Sequence, residues 1–448
     1  MHSSQRLPFP YRSESEVAAH RLQAVSRSLD WAAAARAAAP WVQAVRDNPP
    51  PFWAMESLLK EYPISSAEGL ALMRLAEALL RVPDAETAIA LTADQLGRAD
   101  FEGAGDKVLA RLSSAAIALS KHFLPQTAQT PETPGNASAG APRSEPGLLG
   151  KLGAKTVVAA TLRAVQLLGR QFVLGQTMKE AAAEANTARK SHLQVRKGQF
   201  PAGPLQGELA PVGRSDPRSG GAWGLTYSYD MLGEGARTEA DARKYLKSYS
   251  DAIEFIAGYA SSTGAIAQND GISIKLSALH PRYEDAQRER VMAELVPRVW
   301  GLCEQAARAN ISLTIDAEEV DRLELSLDVL EALMAQVAQH YPLWSGLGLA
   351  MQAYQTRALE LIDHVAALAR KHQVRLMCRL VKGAYWDAEI KRAQEMGLPH
   401  YPVFTHKHHT DVSYLACASA LLEASDVIYP QFATHNAATI AAILQLAA

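Results

Sequence analysis

The chain has 448 residues, of which 48% are hydrophobic and 21% are charged, so it contains enough apolar material for one large core and a smaller one. A formal charge of -2 gives no overall attraction to nucleic acid or anionic lipid. The N-terminus lacks the apolar core of a signal peptide, and no run approaches the roughly 18 apolar residues of a membrane span. Cys303, Cys378 and Cys417 lie far apart in helix-like or strand-like text, which indicates reduced core thiols in a cytosol-like compartment.

Two Pro-rich stretches divide the first half of the chain. Residues 1–123 are Ala- and Leu-rich with helical spacing and are predicted to form a helical arm and a helical domain. Five prolines among small polar residues make 124–150 a predicted linker, because such text buries too little apolar surface to offset ordering entropy. Helical text resumes over 151–197, and the Pro/Gly-rich residues 198–224 are interpreted as a surface insertion.

From residue 225 to residue 448, short apolar runs alternate with longer amphipathic ones. Alternation of this kind requires crossover connections and a parallel sheet. The predicted strands are 225–230, 272–279, 311–316, 347–352, 374–381 and 427–434. The predicted helices are 238–260, 285–309, 321–340, 357–372 and 411–424.

The first predicted strand is not followed by the Gly-rich turn typical of a doubly wound sheet, so a barrel is favoured. We predict an α/β fold in which a (β/α)8-type barrel, with only its first six units present, follows an all-helical arm domain. An open sheet would expose unpaired edges, and we therefore expect the sequence to be truncated.

Three of the predicted strands end in polar residues. Gly271–Leu279 contains Lys275, Arg379–Asp387 contains two cations and two aromatic side chains, and Tyr429–Asn436 ends in an imidazole and an amide. In a barrel of parallel strands the active site forms at the carboxyl ends of the strands. The pattern therefore predicts an enzyme.

Several long motifs occur in a fixed order, and together the chain closely resembles the proline dehydrogenase half of the bacterial bifunctional protein proline utilisation A. The motifs are Ser273–Tyr283, Ile315–Glu319, Gln352–Gln355, Arg379–Asp387, Thr410–Cys417 and Phe432–Asn436. The resemblance implies FAD-dependent oxidation of L-proline to 1-pyrroline-5-carboxylate on a distorted barrel, with electrons passed to a membrane quinone. It also implies a cytoplasmic protein at the inner membrane surface, with a homo-oligomer as one option.

The resemblance carries the family's roles onto individual residues. Lys275, Asp316, Tyr385 and Arg379 are the implied catalytic or substrate-pocket residues. The implied FAD contacts are Gln352, Arg379, Val381, Lys382, Gly383, Ala384, Trp386, Thr405, Lys407, Thr410, Ala433, Thr434, His435 and Asn436.

Physical chemistry agrees with these implied roles. A permanent guanidinium such as Arg379 can stabilise negative charge developing on a flavin, and Lys382 and Lys407 can neutralise a diphosphate. Gly383 allows close approach of the backbone to a ligand. A cation such as Lys275 near the proline amine would favour its free form, which must be present before hydride leaves.

Simpler interpretations compete at single positions. Lys275 suits a solvated strand end, Asp316 suits a helix N-cap, and Tyr385 with Trp386 suits packing at the barrel rim. His406, His408 and His409 with Asp411 imitate a metal site. No metal is expected, because consecutive residues of an extended chain point to opposite faces.

Two other functions remain open. A Schiff-base barrel lyase could use Lys275, and a non-catalytic scaffold would bind neither FAD nor proline analogues. The resemblance also implies features that are not found in this text: two further barrel units with an arginine pair and a tyrosine for the substrate, an aldehyde dehydrogenase half, and a DNA-binding arm. Because no basic strand is visible near the N-terminus, no nucleic-acid partner is expected. The insertion at 190–223 has no predicted role.

Overall fold

The structure is a computed structural model that describes residues 6–47, 174–175, 177–198, 225–231 and 233–448, with residues 191–198 as backbone only. The chain divides into two compact units, Met1–Asp47 with Arg189–Ala448, and Asn48–Ala188. The predicted linker at 124–150 and the insertion from residue 199 to residue 224 lie outside the described residues. The division into the predicted segments stays a prediction.

The described helices and strands follow in chain order. Two helices begin the chain, α1 (Glu14–Ser26) and α2 (Trp31–Asp47), and α3 (Met178–Gly198) precedes the sheet. The strands are β1 (Ser228–Asp230), β2 (Gly271–Ile274), β3 (Leu313–Ile315), β4 (Leu347–Gln352), β5 (Leu376–Val381) and β6 (Ile428–Phe432). The intervening and following helices are α4 (Glu239–Ala257), α5 (Leu276–Leu279), α6 (Arg288–Arg308), α7 (Leu323–His340), α8 (Ala358–His372), α9 (Trp386–Glu395), α10 (Lys407–Glu423) and α11 (Ala437–Leu446).

The six strands form one parallel sheet in the order β1-β2-β3-β4-β5-β6, which confirms the predicted alternation and fold class. Neighbouring strands in the chain are neighbours in the sheet, as in a barrel and unlike a doubly wound sheet. Ile272 pairs with Leu313, and Leu313 pairs with Leu347, so buried apolar side chains form a row across three strands. Such strands are apolar on both faces because helices cover the sheet.

Helix α4 shows how local sequence sets an element boundary. Thr238 is its N-cap: the Thr238 hydroxyl accepts a hydrogen bond from Asp241 N at 3.1 Å, and the Asp241 carboxylate accepts from Thr238 N at 2.9 Å. This reciprocal capping box satisfies two backbone donors that the helix itself cannot. All three cysteines are buried and unpaired, as predicted for core thiols. Within the described residues, no helix is both long and apolar enough to cross a membrane.

The structure differs from the sequence prediction at three element boundaries. Strand β2 ends at Ile274, and Leu276–Leu279, which we predicted as strand, is a buried helical turn. A short run of apolar residues does not distinguish these two conformations. Helix α9 was not predicted, and α10 begins at Lys407 rather than at Asp411.

Helix α1 and the residues just before it are attached to α8 by partly buried ion pairs. The Arg21 side chain is only 1% exposed, and its Nη2 atom donates to Glu360 Oε2 at 2.6 Å and to Thr356 O at 3.1 Å. Arg12 Nη1 lies 2.9 Å from Glu360 Oε1. Burial opposes the charge on Glu360, but the two guanidinium groups outweigh burial and lower the pKa of Glu360 to about 2.

We predict that this cluster makes the stability of the barrel depend on acid. Glu360 has a folded-state pKa below its ordinary value of 4.5, so its contribution is present above pH 4.5 and is lost as pH falls toward 2. Arg21→Met should lower the free energy of unfolding by about 2 kcal/mol at neutral pH. Glu360→Gln should flatten the dependence below pH 4.5, measured by urea denaturation.

Glu395→Gln on α9 is the matched control, because that side chain is 66% exposed and its nearest cation lies 3.6 Å away. An acid dependence in Glu360→Gln equal to that of the wild type would contradict the assignment.

Candidate active site

A cavity of about 730 Å³ opens at the carboxyl ends of the parallel strands. Every strand brings a residue to this edge, because parallel strands all end on the same side of the sheet. Its lining consists of Asp230, Lys275, Asp316, Ala317, Ala350, Gln352, Arg379, Val381, Lys382, Gly383, Ala384, Tyr385, Lys407, Ala433, Thr434, His435 and Asn436. All but three of the predicted site residues are therefore brought together.

Lys275 is held between two carboxylates at the floor of the cavity. Its Nζ atom lies 3.2 Å from Asp316 Oδ2 and 3.3 Å from Asp230 Oδ1. Its backbone N–H donates to the Tyr249 hydroxyl at 3.2 Å, which anchors the end of β2 to α4. The side chain is 16% exposed, so the interpretation of Lys275 as a solvated strand end does not hold.

Arg379 extends the same network across the sheet from β5. Its Nη1 atom lies 3.4 Å from Asp316 Oδ1 and 3.0 Å from Ser273 Oγ, and its Nη2 atom donates to Ser228 Oγ at 2.8 Å. Asp316 is thus shared by two cations. It caps no helix, because the nearest helical turn begins at Val320, so the N-cap interpretation is wrong.

The network balances its charges. Burial opposes the ammonium of Lys275, but Asp316 and Asp230 outweigh burial and raise the pKa of Lys275 above its ordinary value. Burial raises the pKa of Asp316, which Lys275 and Arg379 partly counteract. Two carboxylates and two cations together carry no net charge, and Lys275 stays protonated at neutral pH.

Backbone and side-chain bonds hold the loop after β5 against β4. Gln352 Nε2 donates to Glu318 O at 2.9 Å, and Gln352 Oε1 accepts from Ala384 N at 3.1 Å. The Tyr354 hydroxyl accepts from Tyr385 N at 3.2 Å. Both ends of the Gln352 amide are occupied by these bonds, so the residue positions the cavity wall.

Gly383 is required by the geometry of this loop. Its φ is +146°, and a Cβ atom there would lie 2.4 Å from the ring of Tyr354. An L side chain would meet both backbone strain and a clash. The peptide of Gly383 is left open to the cavity, where a ligand can approach the backbone.

The rim carries one further hydrogen bond to a carboxylate and two ion pairs. The Tyr385 hydroxyl donates to Glu234 Oε2 at 2.9 Å, and burial together with Glu234 raises the pKa of Tyr385. Asp411 pairs with Lys382 and, at 2.7 Å, with Lys407. Although burial works in the opposite direction, these two cations lower the pKa of Asp411, and they place positive charge along one side of the cavity.

Three predicted site residues do not line the cavity. Trp386 Nε1 donates to Phe404 O at 3.0 Å, and the indole is at the rim. Thr405 donates through its N–H and its hydroxyl to Glu14, at 3.0 Å and 2.6 Å. Thr410 is buried in α10, where its N–H donates to His406 O at 3.3 Å.

Asn436 has a structural role in addition to its place on the cavity wall, because its Oδ1 accepts from Thr439 N at 3.0 Å and caps α11. Sequence reasoning missed Asp230, Glu234 and Ser273. Their signal was their place at or just after the end of a strand, with Asp230 closing the apolar run of β1.

The geometric reason given against a histidine site is wrong. His408 and His409 do not lie on an extended chain, because α10 begins at Lys407, and His406 is the N-cap residue of that helix. The ring centroids lie 5.4 Å apart for His406 and His408, 5.1 Å for His406 and His409, and 4.4 Å for His408 and His409. All three imidazoles therefore share one side of the helix start.

Residues 218–448 match the family model described as "Proline dehydrogenase". With the parallel sheet and the charged cavity at its carboxyl edge, this match shows that the chain belongs to the proline dehydrogenase family. The resemblance stated from the motifs is confirmed. Residues 54–172 match a second model, described as "DNA-binding domain of Proline dehydrogenase".

Several relatives are bacterial proteins described as bifunctional. The chain is 45% identical over 393 residues to the bifunctional protein PutA of Klebsiella aerogenes, covering 88% of this chain and 27% of that protein. A crystal structure of a variant of Bradyrhizobium japonicum proline utilization A shares 42% identity with a TM-score of 0.65, covering 98% of this chain and 40% of the other. The proline utilization A of Bdellovibrio bacteriovorus inactivated by N-propargylglycine shares 25% identity and a TM-score of 0.54, over 68% and 29%. The chain thus spans about a quarter of the length of the curated relatives it matches.

The expectation that the chain has no nucleic-acid partner is contradicted by the second match. It relied on net charge and on the absence of a basic strand near the N-terminus. Neither observation says whether a predicted helical segment binds DNA. Net charge averages over the whole chain. Between residues 146 and 172 the sequence has four cations and no acidic residue: Lys151, Lys155, Arg163 and Arg170. This run was the signal that could have been used.

We predict that Gly383→Ala distorts the cavity wall. The new methyl must displace Tyr354, and the strained backbone should cost roughly 1–3 kcal/mol of stability. Gly397→Ala is the matched control: its φ is +62°, but a Cβ atom there has no neighbour within 4 Å. Thermal unfolding of both variants should show a larger loss for Gly383→Ala, and equal losses would contradict the contact with Tyr354.

Proposed function

We propose that the barrel oxidises L-proline to 1-pyrroline-5-carboxylate with FAD as the electron acceptor, and that a membrane quinone then takes the electrons. The observation that carries the proposal is Lys275 held between Asp230 and Asp316 in a cavity that Arg379 also enters. Membership of the proline dehydrogenase family supports the substrate. Because a membrane quinone would accept the electrons, we propose that the protein acts at the cytoplasmic surface of the membrane.

The residues present suit a flavin dinucleotide. Gly383 lines the cavity with backbone alone, and the contact with Tyr354 excludes any side chain at this position. Lys382 and Lys407 supply cations for a diphosphate. Arg379 supplies a permanent positive charge deeper in the cavity, where negative charge on a reduced ring would be stabilised. FAD, when bound, supplies the hydride acceptor.

The remaining residues that we assign to FAD binding shape the wall of the cavity rather than supply charge. Ala384 and Val381 give a wall without bulky polar groups, and Ala433, Thr434, His435 and Asn436 continue it at the end of β6. Gln352 holds the loop that bears Ala384. Trp386, Thr405 and Thr410 support this wall from outside the cavity.

Proline reaches the site as an ammonium ion, yet hydride departs only from the free amine. The two carboxylates beside Lys275 would by themselves stabilise the ammonium form of the substrate. Lys275 and Arg379 balance them, so that a bound amine experiences little net field favouring its proton. Tyr385, whose hydroxyl is held by Glu234, lines the cavity and can pack against the bound substrate.

The same electrostatics argue against a Schiff-base lyase. A lysine that attacks a carbonyl must first lose its proton, and desolvation or a neighbouring cation usually lowers its pKa for that purpose. Here Asp316 and Asp230 raise the pKa of Lys275. Borohydride treatment with substrate would trap no adduct.

The proposal is tested by purifying the protein and recording its spectrum near 450 nm, followed by proline oxidation with a dye acceptor. Flavin absorbance bleached by proline supports the proposal. N-propargylglycine should inactivate the protein, and excess proline should protect it, by analogy with the Bdellovibrio relative. Protein that is reconstituted with FAD and oxidises no proline would refute the proposed activity.

We predict that Lys275→Met lowers kcat/KM for proline by about 100-fold and moves its pH profile to higher pH. Removing one of two balancing cations leaves a net negative site, which raises the pKa of the bound amine. The measurement is the rate of flavin bleaching by proline between pH 6 and 10.

Lys391→Met is the matched control, since that side chain on α9 is 76% exposed and lies outside the cavity lining. A Lys275→Met profile that keeps the wild-type midpoint would rule out the electrostatic role, whatever its rate.

A second function, DNA binding, is favoured by the match of residues 54–172. We propose that the four cations between residues 146 and 172 contact phosphates. Fluorescence anisotropy with duplex DNA should show an affinity that falls steeply with salt. Exchanging all four cations for Gln should reduce this salt dependence by about 3 to 4 in log–log slope, and an unchanged slope would contradict the assignment.

A further inference from the structure

The histidine group at the start of α10 meets a carboxylate from a distant part of the chain. Glu14, on α1, has its Oε1 atom 2.7 Å from His409 Nδ1 and 3.4 Å from His406 Nδ1. One ligand-type atom from each of these three residues lies within 4.8 Å of the others. Nothing in the proposed oxidation chemistry uses this group.

We propose that Glu14, His406 and His409 form a binding site for a divalent transition metal ion of the zinc class. Zinc accepts imidazole nitrogen and carboxylate oxygen at about 2.0–2.2 Å in a tetrahedral arrangement, in which neighbouring ligand atoms lie roughly 3.3 Å apart. The two distances to Glu14 Oε1 lie on either side of that value. The ligand atoms of the two rings lie within 4.8 Å of each other, so coordination requires the rings to move closer together. Water would take the fourth position, as in zinc sites with three protein ligands.

Glu14 is the anionic member of this group. Burial opposes the charge on Glu14, but bonds from Thr405, His409 and His406 outweigh burial and lower the pKa of Glu14 to about 2. These bonds hold the carboxylate beside the two imidazole rings. Imidazole nitrogen and carboxylate oxygen are both ligands that zinc accepts, while the helix start at α10 and Lys407 place positive charge nearby.

The helix dipole also opposes the metal ion itself, but its fractional charge is weaker than a full carboxylate in direct contact. Binding would replace the hydrogen bond between His409 Nδ1 and Glu14 Oε1 and the contact of His406 Nδ1 with Thr405 Oγ1 at 3.1 Å. The bonds that Glu14 accepts from Thr405 N at 3.0 Å, His406 N at 3.1 Å and Thr405 Oγ1 at 2.6 Å would remain. The carboxylate is therefore already oriented toward the rings.

A metal at this place would fasten α1 to the segment that leads into α10. That segment carries Thr405 and Lys407, of which Lys407 lines the cavity. The site would act as a structural clamp beside the cavity and would contribute no group to substrate. Its occupancy should therefore show in stability rather than in the chemistry of the reaction.

The test uses tag-free, full-length protein stripped with a chelator and titrated with Co²⁺ and Zn²⁺. We expect one equivalent of Co²⁺ to give the visible absorption of a four-coordinate ion, Zn²⁺ to displace it, and Zn²⁺ to raise the unfolding temperature. Affinity should increase from pH 6 to pH 8, because the imidazoles must be neutral. Failure to bind either ion at pH 8 would overturn the proposal.

His406→Gln is the principal variant, because that side chain is 62% exposed and its replacement should leave the fold intact. It and Glu14→Gln should each weaken Zn²⁺ binding more than about tenfold. His400→Gln, which removes an exposed histidine outside the group, should bind like the wild type. Equal affinity in wild type, His406→Gln and Glu14→Gln would place any bound metal elsewhere and overturn the assignment.

Discussion

Four charged side chains, each at or near the end of a different strand, meet in the cavity and neutralise one another. The positions of the strand ends and the charge of the cavity both depend on these contacts. Asp230, Lys275, Asp316 and Arg379 lie within 3.2 to 3.4 Å of one another in successive pairs. An unpaired charge on the largely buried Lys275 or Asp316 would cost several kcal/mol, whereas Asp230 is half exposed. The pairs therefore hold the ends of β1, β2, β3 and β5 in register while keeping an ammonium group in the cavity. Stability of the strand ends and the electrostatics proposed for proline oxidation depend on the same contacts.

The sheet could be predicted from the sequence because it follows from periodicity, and the strand-end rule indicated the edge at which the site lies. Most individual cavity residues were assigned through the resemblance to the proline dehydrogenase family. β4 has the predicted bounds, 347–352, since a buried parallel strand is apolar on both faces and Gln352 interrupts the run. Once parallel strands are predicted, their polar carboxyl ends must lie on one edge. That rule alone brings together Lys275, Asp316 and Arg379 without any knowledge of their contacts.

What could not be predicted depends on conformations that residue type does not specify. Leu276–Leu279 is apolar and buried, and its turn is held by bonds from Ala278 N to Lys275 O at 3.2 Å and from Ser277 N to Glu318 Oε1 at 3.0 Å. The arrangement of the histidines was also mispredicted, because α10 begins at Lys407 rather than at Asp411. With 407–410 taken as extended, His408 and His409 point to opposite faces, whereas in the structure the three ring centroids lie within 5.4 Å of one another. The partner Glu14 lies nearly 400 positions away in the chain, beyond any local pattern.

Several residues have a structural role and also line the cavity, although the sequence analysis treated structural and functional roles as alternatives. Asn436 caps α11 and also lines the cavity, and Gln352 both holds the loop after β5 and borders the ligand space. Each internal hydrogen bond fixes the side chain before any ligand arrives, so the entropy of ordering is lost during folding rather than during binding. A residue with satisfied internal bonds can therefore still be a binding residue, through the surface it presents. Thr405 illustrates the limit of this argument: both of its donors are taken by Glu14, so its effect on a ligand must pass through the position of the neighbouring Lys407.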